Sequence, residues 1–425
     1  MAVALFVVFF FLLIIGAPIV FAIGVGTTSA LIVGGIPLEI LPQKIFSGLA
    51  HFPYLAVPLF VLAGMLMETG GISQRVVDLS NALVGHIRGG MGMVVMVATI
   101  FFSDISGSSA ADTAAIGSVM IPAMKKRGYE PGYAAALVTA AGGMGVMIPP
   151  CLTMVVFGSL TNTSIGALFL AGFVPGLSMG LILMLLTYVI ARKKNFPKER
   201  RATFKELLIA FKRSFLSLFM GVIILGGIIL GVFTATEAAA VAVIYGFFLS
   251  VVFYREISLA QIPAILWKSA VISGVVMLVV GLSYAFGWVI AKEQIPMHLA
   301  NFMLTIPGGK WMFLLSVNVL LLLMGMFFDA SLSVVILVPI LFPVAVKLGI
   351  HPIHFGTFVV MNLGIGFTTP PFGLSLFIAS GIASVPMSSI IKPILPYILT
   401  MVGFLLMITY VPWFSLILPR ILMGY

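Results

Sequence analysis

The sequence predicts an all-α polytopic membrane protein built from two related, inverted units, each with a re-entrant helical hairpin and a broken helix. Three observations lead to this prediction. The 425 residues are 61% hydrophobic and only 8% charged, with a mean hydropathy of +1.25, whereas soluble domains are about one quarter charged. Roughly ten apolar stretches are long enough to cross a bilayer as helices. Two interruptions rich in glycine and proline recur among these stretches at a fixed spacing.

Composition and charge argue against several classes of protein. The net charge of +10 arises from 22 Lys and Arg against 12 Asp and Glu, but the basic residues cluster between apolar runs, as membrane topology requires. We therefore expect a lipid bilayer and no nucleic acid as partner. The single cysteine, Cys151, excludes an internal disulfide and a cysteine-based metal cluster. The sequence has no HExxH motif, and we do not expect an enzyme.

The most basic segment predicts the orientation of the chain. Arg192–Arg213, RKKNFPKERRATFKELLIAFKR, holds nine Lys or Arg against two Glu, and the positive-inside rule places it in the cytoplasm. Smaller basic clusters lie at Gly85–Gly90 and Lys125–Gly128. When membrane crossings are counted from these segments, residues 268–290 run from the cytoplasmic side to the outer side. The same count predicts a cytoplasmic N-terminus and a C-terminus on the outer side. The first apolar run, Val3–Val33, is too long for a cleavable signal.

Residues 90–124 must leave the cytoplasmic side and return to it if both smaller clusters face the cytoplasm. The stretch has room for two helices of about 13–15 residues, which at 1.5 Å per residue are too short to cross fully. We therefore expect a re-entrant hairpin whose tip is Ser103–Ser109, SDISGSS. Small and polar residues fit at this depth only where protein or water surrounds them.

A shift of 221 residues superimposes the two halves of the chain. The matching pairs are Pro122 and Pro343, Lys126 and Lys347, Gly128 and Gly349, Pro131 and Pro352, Gly143 and Gly364, Gly145 and Gly366, Pro149 and Pro370, Pro150 and Pro371, and Pro175 and Pro396. Residues 310–347 would form the second hairpin, with its tip near Gly325–Ser331. Because its base carries few basic residues, we expect the second unit to be inverted relative to the first.

The repeat divides the chain into four parts. Residues 1–88 are predicted to form the first scaffold and arm helices, and residues 89–191 the first half of a moving domain. Residues 192–309 would contain the basic loop, further scaffold helices and a second arm. Residues 310–425 would form the second half of the moving domain. Inverted repeats with broken helices are typical of secondary transporters, whose binding site lies at the midplane.

The two interruptions, GMGVMIPP at Gly143–Pro150 and GIGFTTPP at Gly364–Pro371, predict cation sites. Adjacent prolines cannot donate, so carbonyls in the preceding turn lose their helical partner. Na⁺ prefers such oxygen ligands at helix ends. The first tip would add hydroxyls, with Ser103 and Ser106 as first candidates. The second copy would use Gly366, Thr369 and Pro371 with the tip at Gly325–Asp329. Two copies indicate at least two Na⁺ sites. The alternative is an ordinary proline kink whose carbonyls are covered by side chains or water.

Half-helix N-termini that converge near the centre favour an anionic substrate. Polar side chains near the breaks could hold its other groups, or could form helix–helix hydrogen bonds instead. These are Ser108, Ser109, Thr113, Thr153, Asn162, Asn362, Thr368 and Ser375. Three carboxylates near the tips, Asp104, Asp112 and Asp329, are functional candidates because ionisable groups are rare in membranes. Asp104 or Asp329 could instead cap the returning helix. Glu237 could cap or pair within a scaffold helix.

Four segments taken in order carry a resemblance to a known family: FFSDISGSSAADTAAIGSVMIPAM, GMGVMIPP, GVFTATEAAAVAVIYG and GIGFTTPPFGLSLF. The chain resembles, over essentially its whole length, the large membrane subunit of tripartite ATP-independent periplasmic (TRAP) transporters, which belong to the ion-transporter superfamily. The resemblance implies an elevator mechanism, with hairpins and broken helices moving against a scaffold. The sodium ligands that it implies, largely carbonyls, are Ser103, Ser106, Gly145, Ile148, Pro150, Gly325, Gly366, Thr369 and Pro371.

The resemblance also implies partners and a location. A periplasmic binding protein would deliver an organic acid of the sialic acid or C4-dicarboxylate type, and Na⁺ entry would drive uptake across the bacterial inner membrane. The C-terminus would then be periplasmic. Because the chain begins at its own first helix, we expect a separate small four-helix subunit. The alternatives are a self-sufficient Na⁺/dicarboxylate transporter of the same superfamily, an intramembrane enzyme and a channel.

Overall fold

The computed structural model describes residues 1–194, 196 and 200–425. Residues 195 and 197–199, which belong to the predicted cytoplasmic basic loop, lie outside the described residues. Over the described part the chain is helical, without a β-strand. Eight helical segments there are long and apolar enough to cross a membrane, and several shorter apolar helices accompany them. The all-α membrane class is therefore confirmed.

The helices of the first half, in chain order, are α1 (Ala2–Ile14), α2 (Ile19–Val33), α3 (Ile40–Leu49), α4 (Ala56–Thr69), α5 (Ile72–Val84), α6 (Gly90–Ser106), α7 (Ser109–Lys126), α8 (Pro131–Gly145), α9 (Leu152–Thr161) and α10 (Ile165–Lys193). Those of the second half are α11 (Phe204–Ile229), α12 (Ala235–Phe247), α13 (Ile262–Lys292), α14 (Ile295–Thr305), α15 (Gly309–Phe327), α16 (Ala330–Lys347), α17 (Pro352–Gly366), α18 (Leu374–Ala383), α19 (Ser388–Tyr410) and α20 (Trp413–Met423).

Local chemistry explains several helix ends. Thr203 and Glu206 form a capping box at the start of α11, and Thr234 and Glu237 form another at the start of α12. Each pair satisfies two of the four backbone N–H groups that a helix start leaves without partners. The interpretation of Glu237 as a capping residue is thus confirmed.

Both hairpins form, and their helices are longer than predicted. α6 and α7 have 17 and 18 residues, and α15 and α16 have 19 and 18. The turn of the first hairpin needs only Gly107 and Ser108, because Gly107 adopts a left-handed φ of 61° and Ser108 caps the next helix. The predicted seven-residue tip was therefore too long. The re-entrant position of the tips within the membrane stays a prediction.

The predicted interruptions are confirmed as breaks. α8 ends at Gly145 and α9 begins at Leu152, while α17 ends at Gly366 and α18 begins at Leu374. The Pro149–Pro150 and Pro370–Pro371 peptide bonds are both cis. Each hairpin tip lies beside one break, where the two half-helices of the broken helix meet.

The 221-residue shift holds for whole helices. It maps α7 onto α16 and α8 onto α17, residue for residue at both ends. The half-helices are exchanged between the units, since α9 packs against α16 and α17, and α18 packs against α7 and α8. This reciprocal packing places the two breaks and the two hairpin tips in one core, as the repeat predicted.

The chain ends correct the predicted topology. The first apolar run is two helices, α1 and α2, that pack side by side, so the chain returns to the side from which it started. The Met1 ammonium lies 3.5 Å from the carboxylate of Glu293, just after α13. The N–H of Ala2 also donates to Glu293, and these contacts lower the pKa of that carboxyl. A cytoplasmic N-terminus and an outward course of residues 268–290 are therefore incompatible with each other.

The last apolar run is also divided, at Pro412, between α19 and α20. α20 packs against α10, so the chain end lies near Gly166, where α10 begins. The crossing count places the start of α10 on the outer side, so this contact agrees with the predicted periplasmic C-terminus, which stays a prediction.

Candidate functional site

A cavity of about 330 Å³ lies between the two hairpin tips. Ser108 and Ser109 line it from the first hairpin, and Asp329 and Ser331 line it from the second. The remaining wall comes from the start of α9 and from an apolar face of α13 that includes Val271, Ile272, Val275 and Val276. The cavity is therefore polar on the side of the hairpins and apolar on the side of α13.

Three helices begin at this cavity: α7, α9 and α16. A helix N-terminus carries about half a positive charge and unpaired N–H groups, so it favours an anion. Ser108 and Asp329 already cap α7 and α16, whereas α9 has no side-chain cap. The first amide of α9, that of Leu152, donates to the Gly107 carbonyl at the hairpin tip at 3.4 Å. Among the residues that the structure describes, no Lys or Arg lines it.

Four of the predicted substrate residues line this cavity, namely Ser108, Ser109, Thr153 and Asp329. Ser109 also bonds across the unit boundary to Ser375, at 3.0 Å between the two hydroxyls. The alternative interpretation of Asp329 as a helix cap is confirmed, because its Oδ1 accepts from the Ser331 N–H at 2.8 Å. Capping and substrate contact are compatible, since a carboxylate offers several lone pairs.

Three predicted substrate residues are buried away from the cavity. Thr113 donates to the Ser109 carbonyl at 2.8 Å, and Thr368 donates to the Ile365 carbonyl at 2.7 Å. The amide nitrogen of Asn362 donates to Asn318 on α15 at 2.7 Å. These side chains satisfy the backbone or join helices, which is the alternative that the sequence left open.

Asp104 does not line the cavity either. It follows Ser103 on α6, so its side chain points about 100° away around the helix. Its carboxylate lies against Gly221 of α11, where an added Cβ would collide with it. α7 is capped by Ser108 and not by Asp104, so the capping interpretation of Asp104 is wrong. The other polar candidate, Asn162, ends α9 with a left-handed φ of 52° and lines an outer cavity.

The first predicted sodium site is organised by Asp112. Ser103 and Ser106 on α6 donate to its two carboxylate oxygens, one hydroxyl to each. A Cβ on Gly145 would collide with Asp112 Oδ2 and with Ser103 Oγ, so only glycine lets α8 end against this cluster. An ionised carboxylate only accepts hydrogen bonds, so it can accept from both hydroxyls at once. Sequence reasoning named Asp112 as a buried carboxylate but did not place it in the site, although its rarity in the membrane was a signal.

Backbone oxygens complete this cluster. The Gly145 carbonyl accepts from the Ile148 N–H at 2.8 Å and keeps one lone pair. Over the described part of the chain, no backbone N–H donates to the carbonyls of Ile148 or Pro150. The Pro150 oxygen faces Gly107 at the hairpin tip. This set of oxygens fits a hard cation.

The second predicted sodium site is built differently. Gly325 and Gly366 lie in direct contact, and a Cβ on Gly366 would lie 2.6 Å from Gly325 Cα. The Thr369 N–H donates to the Gly366 carbonyl at 2.9 Å, the same bond that Ile148 makes in the first unit. The Thr369 hydroxyl donates to a carbonyl on α17 at 2.8 Å, and Pro371 is exposed.

Ser333 takes the place of Asp112 in the second unit. It is fully buried, and its Oγ has no hydrogen-bond partner among the described residues. Met324 and Phe327 occupy the positions of Ser103 and Ser106. The second predicted sodium site (site 2) therefore lacks the carboxylate of the first (site 1). It keeps a buried hydroxyl without a partner among the described residues, which fits a role as a ligand.

A short segment of α10 matches an enzyme motif. GLSMG at Gly176–Gly180 matches GxSxG, a pattern that sequence reasoning overlooked. It lies inside α10, whereas the nucleophile of that motif requires a sharp turn between a strand and a helix. The match therefore has no catalytic context.

Comparison with known proteins identifies the family. The model of the DctM component of the tripartite ATP-independent periplasmic transporter matches residues 6–414. The chain belongs to this family. A C4-dicarboxylate TRAP transporter large permease from Pseudomonas aeruginosa is 41% identical over 395 residues, covering 93% of this chain and 92% of the relative. A sialic acid TRAP transporter large permease from Vibrio cholerae is 38% identical over 415 residues, covering 97% of each.

A solved structure supports the fold of this TRAP large permease. The YdaH transporter of Alcanivorax borkumensis aligns with a TM-score of 0.63 over 90% of each chain, at 16% identity. Since the relatives are transporter permeases, the chain is a multi-span membrane protein of a bacterial transporter family and not an enzyme.

Proposed function

We propose that this TRAP large permease performs Na⁺-coupled uptake of an anionic organic acid across the bacterial inner membrane by an elevator mechanism. The observation that carries the proposal is the convergence of three helix N-termini on the cavity between the hairpin tips, with no basic side chain among its described lining. The helix dipoles then supply the attraction for an anion.

The substrate class follows from the size of the cavity and from the relatives. A volume of about 330 Å³ suits a small organic acid. Relatives are named for C4-dicarboxylates and for sialic acid. Both are carboxylates, and the helix dipole at the start of α9, which borders the cavity, favours such a group. Thr153, Ser108 and Ser109 offer hydroxyls to its remaining oxygens.

The sodium sites provide the coupling. Site 1 comprises Ser103, Ser106, Gly145, Ile148 and Pro150 around Asp112, and site 2 comprises Gly325, Gly366, Thr369 and Pro371. Each holds a hairpin tip against a break, and the same tips form the substrate cavity. An ion that orders a tip therefore preorganises the cavity, which links ion binding to substrate binding.

The apolar wall of α13 suits an elevator motion. The hairpins present their polar groups to the cavity, while Val271, Ile272, Val275 and Val276 offer few hydrogen bonds to break. A body that carries its own polar contacts can slide along such a wall at low cost. We propose that a small four-helix subunit and a periplasmic binding protein complete the transporter, as in the family.

Uptake into proteoliposomes tests the proposal. The chain is reconstituted with its small subunit and its binding protein, and uptake of labelled C4-dicarboxylate and of sialic acid is measured with inward Na⁺ or inward K⁺. We expect uptake of one of these acids only with inward Na⁺ and both partners. Uptake at full rate without Na⁺ would contradict coupling. Uptake by the chain alone would favour a self-sufficient transporter.

A further inference from the structure

A second, smaller cavity of about 120 Å³ lies at the first hairpin tip and shares Gly107 and Ser108 with the substrate cavity. Ser106, Ser108 and Pro150 line it from the moving parts, and Glu68 of α4 lines it from the opposite wall. Two groups of the candidate sodium site 1, Ser106 and Pro150, are therefore open to this cavity. Neither the substrate cavity nor the predicted ligand set accounts for Glu68.

The course of α4 brings Glu68 to this position. A Cβ on Gly64 would lie 3.5 Å from the Ser106 carbonyl, so α4 passes directly beside the tip. Glu68 is four residues further along and therefore lies on the same face, one turn beyond the tip. That turn is the last of α4 and leads toward Arg75, which pairs with Glu256 beside Arg213, in the basic part of the molecule.

The carboxylate of Glu68 is half-buried, and over the described residues no side chain or backbone group forms a hydrogen bond or an ion pair with it. Two charged groups act on it from a distance. Lys268 on α13 attracts it, and Asp112 in the sodium cluster repels it. An intramembrane carboxylate without a contact partner, facing a cavity that reaches the cation ligands, concentrates cations there.

We propose that the smaller cavity is a vestibule for site 1, through which Na⁺ passes between Ser106 and the basic end of the protein. The negative charge of Glu68 attracts Na⁺ into this vestibule. The proposal rests on the sodium coupling proposed above. Glu68 does not ligate the bound ion, so it is a positioning residue that raises the local cation concentration. Because it belongs to α4, it serves site 1 only while the first hairpin rests against this helix. The positive charge of Lys268, which attracts Glu68, opposes its effect.

Sodium-dependent thermal stabilisation tests the proposal on the large subunit purified with its small subunit. Na⁺ is titrated against choline at constant ionic strength, and the rise in melting temperature reports binding by mass action. We expect Glu68→Gln to raise the half-saturating Na⁺ concentration about fivefold, the effect of one partly screened charge. Glu68→Asp should restore most of the affinity. Lys268→Gln should lower the half-saturating concentration.

Glu39→Gln is the matched control, because Glu39 is exposed and caps no helix with its side chain. It should leave the titration unchanged. At about 0.5 M ionic strength the difference between Glu68→Gln and wild type should shrink, since a through-space effect is screened and a structural defect is not. Equal midpoints for Glu68→Gln and Glu39→Gln, or shifts of the same sign for Glu68→Gln and Lys268→Gln, would overturn the vestibule. A wild type without any Na⁺-dependent shift would instead overturn sodium coupling itself.

Discussion

Gly143 and Gly364, which occupy equivalent positions in the two repeats, lie directly against each other where α8 and α17 cross. A Cβ on Gly364 would lie 2.7 Å from the Gly143 carbonyl, and a Cβ on Gly143 would lie 2.8 Å from the Gly364 carbonyl. Equivalent residues touch only at the axis that relates two units. Further contacts pair Gly143 with Thr368 and Gly364 with Val146, so the contacts of the two helices at the crossing are reciprocal.

This crossing gives the first prediction. Gly364→Ala should destabilise the protein by roughly 2–4 kcal/mol, because a methyl group must displace backbone rather than a flexible side chain. The melting temperature of the purified protein reports the loss. Gly403→Ala on α19, where an added Cβ meets nothing within 4 Å, should have no such effect. A Gly364→Ala protein as stable as the Gly403→Ala protein would refute the close crossing.

Asp112→Asn should weaken Na⁺ binding at least about tenfold. The substitution removes the negative charge that would neutralise the ion. The amide also has only one acceptor oxygen, so its NH₂ group cannot replace the carboxylate oxygen that accepts from Ser103 or Ser106. The half-saturating Na⁺ concentration for uptake is the measurement. Asp78→Asn, at an exposed position on α5, serves as the control and should behave as wild type. An unchanged sodium affinity in Asp112→Asn would remove the carboxylate from site 1.

Ser333→Ala should affect only the second site. Removing an unpaired buried hydroxyl should leave the melting temperature without Na⁺ unchanged or slightly higher. Stabilisation by Na⁺ should become weaker and less cooperative. Ser283→Ala on α13 is the matched control, since Ser283 is also buried and its Oγ has no hydrogen-bond partner in the part of the chain that the structure describes. Identical sodium titrations for the two variants would contradict a role for Ser333.

Gly221→Ala should slow transport without loss of ion binding. The added methyl group must displace the Asp104 carboxylate and so separate the first hairpin from α11. We expect the uptake rate to fall roughly fivefold or more, while the Na⁺-dependent rise in melting temperature persists. Gly226→Ala on the same helix has free space around it and should transport normally. Equal uptake rates for the two variants would show that the Asp104 contact is unimportant.

Much of the fold was predictable because proline and glycine act locally. The adjacent pair Pro149 and Pro150 removes two consecutive donors, whereas single prolines such as Pro175 lie within helices. The repeat of this pair at Pro370 and Pro371 reveals the two-unit architecture. The length of α6 was not predictable in the same way. The sequence SDISGSS looks like a polar loop, yet its first four residues continue the helix because Asp112 receives the hydroxyls of Ser103 and Ser106.

The individual roles of the polar side chains were the hardest to predict. Thr113 and Thr368 resemble Thr153 in sequence context, but a threonine hydroxyl in a helix can bond to its own preceding turn. Asn362 donates to Asn318, a residue 44 positions away, and no local sequence pattern predicts this pair. The sequence indicates where polar groups gather, and only the packing of α7, α15 and α17 decides which of them face a cavity.

The exchange of Asp112 for Ser333 between the repeats has a consequence for the response to voltage. With an ionised Asp112, the proposed site 1 would be electrically neutral when it holds Na⁺ and would carry a charge of −1 when empty, whereas the proposed site 2 would carry +1 and 0. The membrane potential acts on each unit charge with about 2.3 kcal/mol per 100 mV. In a cell with a negative interior, the potential would push the Asp112 charge outward, so that this carboxylate would assist the return half of the proposed elevator cycle.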